Sequence, residues 1–311
     1  MTAAAPTGSA RPTASLWRPG AARARLRDAA LGAAALLILA VLWEAYKLLG
    51  PADGWSAGDL RLLPRTSDLA MPHTWEMLAR LGDPLTGAPG APLLGVAVLR
   101  ASGFSLTIAV ISWCLGVLVG LVLAVGMQRF RVAESAVLPL VVLSQTIPLI
   151  ALAPVVRGWG SRLAVGPVEW EGWMSVAVIA SYLAFFPVAV GALRGLQAPD
   201  AIHQDLMRSY GAGWWTTLVR LRLPASVPYL LPALRLAAAN AVVGTVVAEV
   251  STGLPGGVGR MILEFANFAS SDPAKPWAPL FGAVLLGLLV AGLVGALGVP
   301  LARYRRAEVA A

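Results

Sequence analysis

The sequence predicts an all-α integral membrane protein. It has six transmembrane helices, a cytoplasmic helix-turn-helix between the fourth and fifth, and both termini in the cytoplasm. Three observations lead there. Of 311 residues, 58% are hydrophobic and 13% charged, with a mean hydropathy of +0.73; a soluble domain carries about a quarter charged residues. Six apolar runs reach the roughly 20 residues that a helix needs to cross the hydrocarbon. Arginines gather on alternate connections between those runs.

The elements follow in chain order. Residues 1–28 form a basic cytoplasmic tail whose Pro/Ser/Thr-rich start, to about Arg18, predicts disorder. Residues 29–49 form the first anchor. A signal peptide is the other reading of this run behind "RARLRD", but the run is long, no small-residue cleavage site follows, and five more spans do. Residues 50–105 form an extracytoplasmic loop with short helices. There "LLPRTSDLAMPHTWEMLARLG" predicts a loop and an amphipathic helix over Pro72–Leu81. "LLGVAVLRASGFSL" predicts a helix that lies near the membrane surface or extends the second span. Residues 106–300 form the main transmembrane domain, with spans at about 107–127, 136–156, 173–193, 232–250 and 277–299 and a cytoplasmic loop over 198–226. Residues 301–311 are a cytoplasmic tail. Each span must be helical, because lipid offers no partner to an open backbone amide.

The arginines set the direction. With the N-terminus inside, the cytoplasm receives Arg11, Arg18, Arg23, Arg25, Arg27, Arg129, Arg131, Arg194, Arg208, Arg220, Arg222, Arg303, Arg305 and Arg306. The outside receives fewer over a longer length, among them Arg61, Arg65, Arg157, Arg162 and Arg260, together with most of the acids. This is the positive-inside pattern, and it also accounts for the net charge of +8 without nucleic acid.

Several chemistries lack their residues. The single cysteine, Cys114, lies in an apolar run, so no disulfide framework exists. His73 and His203 are too far apart in sequence for a local metal pair. Neither Lys47 nor Lys275 follows a glycine, so the chain has no phosphate-cradling GxxxxGK[ST] loop. The expectation is a membrane protein with no catalytic, metal or cofactor site of its own.

The connection "DLMRSYGAGWWTTLVRLRLPASVP" is the most informative stretch. "APDAIHQDLMRSY" opens with Pro-Asp and places Ile202, Leu206 and Tyr210 at four-residue spacing on one helical face. Gly211 and Gly213 allow a sharp turn. "WWTTLVRLRL" predicts a second short helix with Trp215, Leu218 and Val219 on one side. Pro224 is expected to block that helix and redirect the chain. The tryptophans serve either as interfacial anchors or as contacts for a partner.

This segment resembles the cytoplasmic coupling loop of ABC-importer permeases. In that family Glu-Ala-Ala is followed after three residues by Gly, then after nine by an apolar residue, any residue, and Leu-Pro. Here Asp205-Leu206-Met207, Gly211, Leu221 and Leu223-Pro224 stand at those positions. The acid is shortened and both alanines are enlarged. From about Leu62 to Val299 the chain resembles the branch serving nitrate, sulfonate, taurine, thiamine-precursor and riboflavin uptake in the bacterial inner membrane. The resemblance implies a permease homodimer, a partner ATPase subunit that holds the ATP and magnesium, and an extracytoplasmic solute-binding protein. It also implies that Asp205, Gly211, Leu223 and Pro224 form the ATPase-coupling element, with Tyr210, Trp214 and Trp215 as docking contacts.

Polar and aromatic groups within the spans supply candidate pathway residues: Gln145 and Pro148 in the third, Tyr182 and Phe186 in the fourth, and Asn240 and Glu249 in the fifth. Gln145 reads equally as a pathway residue or a helix–helix hydrogen bond. The aromatics line a path or fill the bundle. Asn240 is costly in lipid unless paired. Glu249 and Glu44 end their spans near enough to the boundary to be hydrated, and Glu249 reads as structural or gate-forming. Gly116 and Gly120, with Gly282, Gly287, Gly292 and Gly295, permit close helix packing within or between subunits. "STGLPGGVGRMILEFANFASSDPAKPWA" predicts a short re-entrant or surface helix covering the outer mouth. The competing class is an ATP-independent secondary transporter or channel, but the span centres lack the acids and histidines that ion coupling uses.

Overall fold

The computed structural model describes residues 19–57, 60–160, 162, 164, 165 and 168–305. The first part of the N-terminal tail, where disorder is expected, lies outside them. The chain divides after Thr74 into two compact units.

In the first unit, α1 (Pro19–Leu49) carries the first apolar run, and its last turns are pinned by the segment that follows. Lys47 Nζ donates to Asp68 Oδ1 at 2.6 Å and to the Met71 carbonyl at 2.5 Å. Tyr46 donates to the Pro64 carbonyl. The Glu44 carboxylate accepts from the Thr74 amide and hydroxyl and faces His73 Nδ1, each at 2.7 Å. Glu44 is thus a clasp for the loop. A two-stranded antiparallel pair, β1 (Trp55–Ala57) and β2 (Leu60–Leu63), lies between.

The second unit is a helical bundle. After α2 (Thr74–Ala79) and a single tight turn over Arg80–Gly82 comes α3 (Leu94–Arg129), one continuous helix of 36 residues. "LLGVAVLRASGFSL" therefore extends the second span. At the centre stands α6 (Gly172–Gln197), packed on α3 and on α9 (Leu223–Thr252). Small residues set the approach. A Cβ on Gly116 would lie 2.6 Å from Ala184 Cβ, and one on Gly120 2.7 Å from Val188 Cβ. The GxxxG of α3 is thus an internal seam, with Gly244 of α9 meeting Ala180 on the other side. In α11 (Trp277–Arg305), Gly282 abuts Val98 and Ser102, whereas Gly287, Gly292 and Gly295 meet no neighbouring atom within 4 Å. These contacts make α3, α6 and α11 parallel and α9 antiparallel to them, as alternating crossings require.

Among the described residues five helices are long and apolar enough to span a membrane, or six with one bent pair counted as a span. That pair is α4 (Arg131–Ser144) and α5 (Leu149–Gly160), bent by 103°. The span expected over 136–156 is thus broken at Gln145–Pro148, because a proline's ring and missing amide hydrogen cannot continue the ladder. Leucines such as Leu118, Leu140 and Leu288 stay well exposed, as side chains facing acyl chains would. A short strand pair, β3 (Ala164–Val165) and β4 (Val168–Glu169), links α5 to α6.

Candidate functional site

The 198–226 connection begins with α7 (Ala201–Ser209), opened by Asp200, whose carbonyl accepts from the amides of His203 and Gln204. Its apolar face has no cover: Ile202, Leu206 and Tyr210 are 73%, 53% and 81% exposed. The helix ends in paired bonds, Ala212 N to the Met207 carbonyl and Gly211 N to the Arg208 carbonyl. That cap needs a left-handed residue, and Gly211 supplies it with φ +68°. Gly213 has φ −69° and makes no such demand. Asp205 is exposed and pairs with Arg208 at 3.1 Å, a contact worth little in water.

The second half departs from expectation in two respects. A short α8 (Trp214–Thr217) passes through a π-helical turn over Leu218–Arg222 directly into α9. Pro224 therefore does not block the helix. It sits at the second position of α9, and the wide turn before it absorbs the missing amide hydrogen. Nor do Trp215, Leu218 and Val219 share a face: Leu218 is buried in the bundle, while the other two are exposed.

Tyr210 and Trp215 are exposed, the Trp215 ring lying edge-on to Trp214, and Leu223 and Pro224 lie on an exposed edge. Trp214 packs instead beside the core of α3, α4 and α6, with the Arg129 guanidinium 5.0 Å from its ring centroid. The residues that fix the hairpin escaped sequence reasoning. Arg222 donates to the Leu196 carbonyl at 2.9 Å and to Gln204 Oε1 at 2.8 Å, riveting α7 to the end of α6. No spacing rule links positions 18 and 26 residues apart.

The pathway candidates do not share one site. Gln145, Pro148 and Tyr182 come together at the bend between α4 and α5. Ser144's carbonyl would accept from residue 148, but Pro148 has no hydrogen to give; the Ile147 amide reaches that carbonyl at 3.3 Å and the Tyr182 hydroxyl donates to it as well. Gln145 Nε2 donates to Ser144 Oγ at 3.2 Å. Asn240 does for α6 what Tyr182 does for α4. Its Nδ2 donates at 3.1 Å to the Leu183 carbonyl, whose helical partner would be Pro187. Phe186 packs on the core near Ala189 and Leu193.

Glu249 is apart from these and fully buried, so the expected hydration does not hold. Gly256 and Gly257 let the chain double back, and α10 (Val258–Ala266) seals the carboxylate off. The Ser105 hydroxyl donates to it at 2.7 Å, the Gly259 amide donates at 2.8 Å, and the Val258 amide donates to Ser105 Oγ. Ser105 carried no signal in the sequence. A separate apolar cavity of about 440 Å³ lies among α3, α9 and α11 beside Trp113, Val242 and Val290; none of the pathway candidates lines it.

Residues 116–303 match the family described as binding-protein-dependent transport system inner membrane component. The chain is similar to the formylaminopyrimidine transport permease protein of Halalkalibacterium halodurans. The two are 33% identical over 226 residues, covering 69% of this chain and 84% of the relative. It is 26% identical to the putative aliphatic sulfonates transport permease protein of Bacillus subtilis, over 61% of each chain. It is 24% identical to the taurine transport system permease protein of Escherichia coli, over 79% of this chain and 80% of that one.

Proposed function

The chain belongs to the inner-membrane component family of binding-protein-dependent transport systems, and from that membership we propose that it works as the homodimeric permease of an ATP-driven importer. It is a multi-pass inner-membrane transport subunit. ATP and magnesium reside in a partner ATPase, and a solute-binding protein delivers the cargo from the extracytoplasmic side. The carrying observation is the bared face of α7, where Ile202, Leu206 and Tyr210 are exposed beside a turn closed at Gly211 and riveted by Arg222. An apolar face of that size on a rigid connection fits helix-in-groove docking. Closure of the ATPase pair draws the two hairpins together and tilts α6 and α9, to which each is joined. A partner shifts such an equilibrium only by gripping one state better than the other.

The solute in this proposal is a small pyrimidine-like compound, on the strength of the similarity to the formylaminopyrimidine permease. Sulfonates and taurine are the comparison set. The test is co-purification of an ATP-binding subunit with the tagged chain, followed by uptake of a labelled pyrimidine into proteoliposomes of the complex. We expect association that is lost in Ile202→Asp and uptake that requires ATP. Uptake by the chain alone, driven by an ion gradient, would favour a secondary transporter and defeat the proposal.

A further inference from the structure

At the end of the bundle opposite the α7 hairpin, Lys275 is 8% exposed. Its ammonium lies 5.0 Å from the Phe265 ring centroid and 4.4 Å from that of Phe268. Burying a lysine is costly without an anionic partner, and two aromatic faces offset part of that cost. Two carboxylates stand nearby, and both are directed to Arg80. Asp272 Oδ2 accepts from Arg80 Nε at 2.8 Å, and Asp83 Oδ2 lies 3.7 Å from Arg80 Nη1. The second oxygen of Asp272 faces the backbone amide of Lys275. Among the described residues no carboxylate lies within ion-pair distance of Lys275 Nζ. The side chain instead borders an open cavity of about 380 Å³ walled by Arg80, Asp83, Pro84, Leu85, Thr86 and Gly87.

We propose that this cavity is a carboxylate-binding site with Lys275 as its counter-ion, and that its occupant is an acidic side chain of the solute-binding protein. The identification of the occupant rests on the importer reading above; the cavity and its unpaired cation do not. A protein side chain fits better than a free anion. The four charges of the site, Arg80, Lys275, Asp83 and Asp272, sum to zero, so beyond a Debye length of about 8 Å it attracts no small anion. A free monoanion would also lose its translational freedom for one charged contact. A carboxylate carried on a docked protein arrives at a high effective concentration, and one charge-assisted contact then suffices to fix register.

The assembled transporter in nanodiscs, titrated with the loaded binding protein, tests this through ATPase stimulation read relative to each variant's unstimulated rate. Lys275→Met keeps the stem on the two rings and removes the charge. The expected result is a half-saturating concentration raised by about tenfold or more, with a flatter dependence on sodium chloride. Lys275→Arg should stay within about threefold of the wild type. Gly87→Asp, whose added Cβ meets no atom within 4 Å, places a competing acid at the rim without disturbing the fold and should weaken docking likewise. An unchanged half-saturation and salt slope in both Lys275→Met and Gly87→Asp overturns the site. If potassium acetate at about 10 mM raises the melting temperature of the wild type and not of Lys275→Met, the occupant is a free carboxylate and the docking assignment falls. A wild-type complex that ignores the binding protein defeats the importer reading, and the assignment of this occupant with it.

Discussion

Tyr182 donates its phenolic hydrogen to the main-chain carbonyl of Ser144, the group that Pro148 leaves without its helical partner. The 103° bend between α4 and α5 is thereby held from α6. Removing the hydroxyl leaves that carbonyl with only the Ile147 amide at 3.3 Å, and losing one hydrogen bond from such a group costs about 1 kcal/mol. Tyr182→Phe should lower the melting temperature of the purified chain. Pro148→Ala restores an amide donor at the break between α4 and α5, so the Tyr182→Phe loss should shrink in that background. Equal losses with and without Pro148 would mean that the hydroxyl does not cap the broken ladder.

The same logic applies to Asn240, which serves the carbonyl orphaned by Pro187. Asn240→Leu should destabilise the α6–α9 seam by about 1–3 kcal/mol. Pro187→Ala should remove most of that penalty in a double-mutant cycle. If Asn240 were chiefly a solute contact, Asn240→Leu would change the transport KM while the melting temperature stayed at the wild-type value.

These two pairings show what could be read in advance and what could not. The spans, their alternation and the glycine turn are written in local patterns: apolar length, arginine placement, and a Gly-to-Leu-Pro spacing. Gln145, Pro148, Tyr182 and Asn240 stood out because polar groups and prolines are conspicuous in an apolar run. That two of them answer prolines on neighbouring helices depends on the rotation of α4, α6 and α9 about their axes, which sequence spacing leaves open. Pro224 misled for a related reason. Its missing hydrogen was evident, but a helix can widen by one residue and carry on, as the turn over Leu218–Arg222 does. Ser105 and Arg222 were invisible because serines and arginines are ordinary at helix ends.

At Gly211 the backbone φ of +68° closes the α7 cap in open surroundings, with no atom within 4 Å of where a Cβ would stand. Any penalty there is conformational rather than steric crowding. Gly211→Val should cost more than about 1–2 kcal/mol locally, since a β-branched residue resists the left-handed region. Gly211→Asn should be tolerated far better. Because the cap is exposed, membrane insertion and overall melting should change little in either variant. Binding-protein-stimulated ATPase activity should fall several-fold in Gly211→Val and recover in Gly211→Asn. Full stimulation in Gly211→Val would argue that the turn's geometry plays no part in coupling.

Glu249 and Ser105 together close the start of α10, and removing either should loosen that helix rather than the bundle. Ser105→Ala deprives the buried carboxylate of a donor at 2.7 Å and the Val258 amide of its acceptor at once. The Val258 amide is then left unpaired, which costs about 1–3 kcal/mol, and the carboxylate keeps only the Gly259 amide. A Cβ on Gly257 would lie 2.2 Å from Glu249 Cδ, so the chain is already drawn tightly over the carboxylate and offers no room for water to substitute. Hydrogen exchange over residues 258–266 should accelerate in Ser105→Ala, with the α6–α9 seam protected as in the wild type. Glu249→Gln keeps the acceptor for Gly259 and the approach of Ser105, so its exchange should lie between the two. Uniform acceleration across all helices would show that the pair supports the whole bundle, and unchanged exchange over 258–266 would show that it does not hold α10 in place.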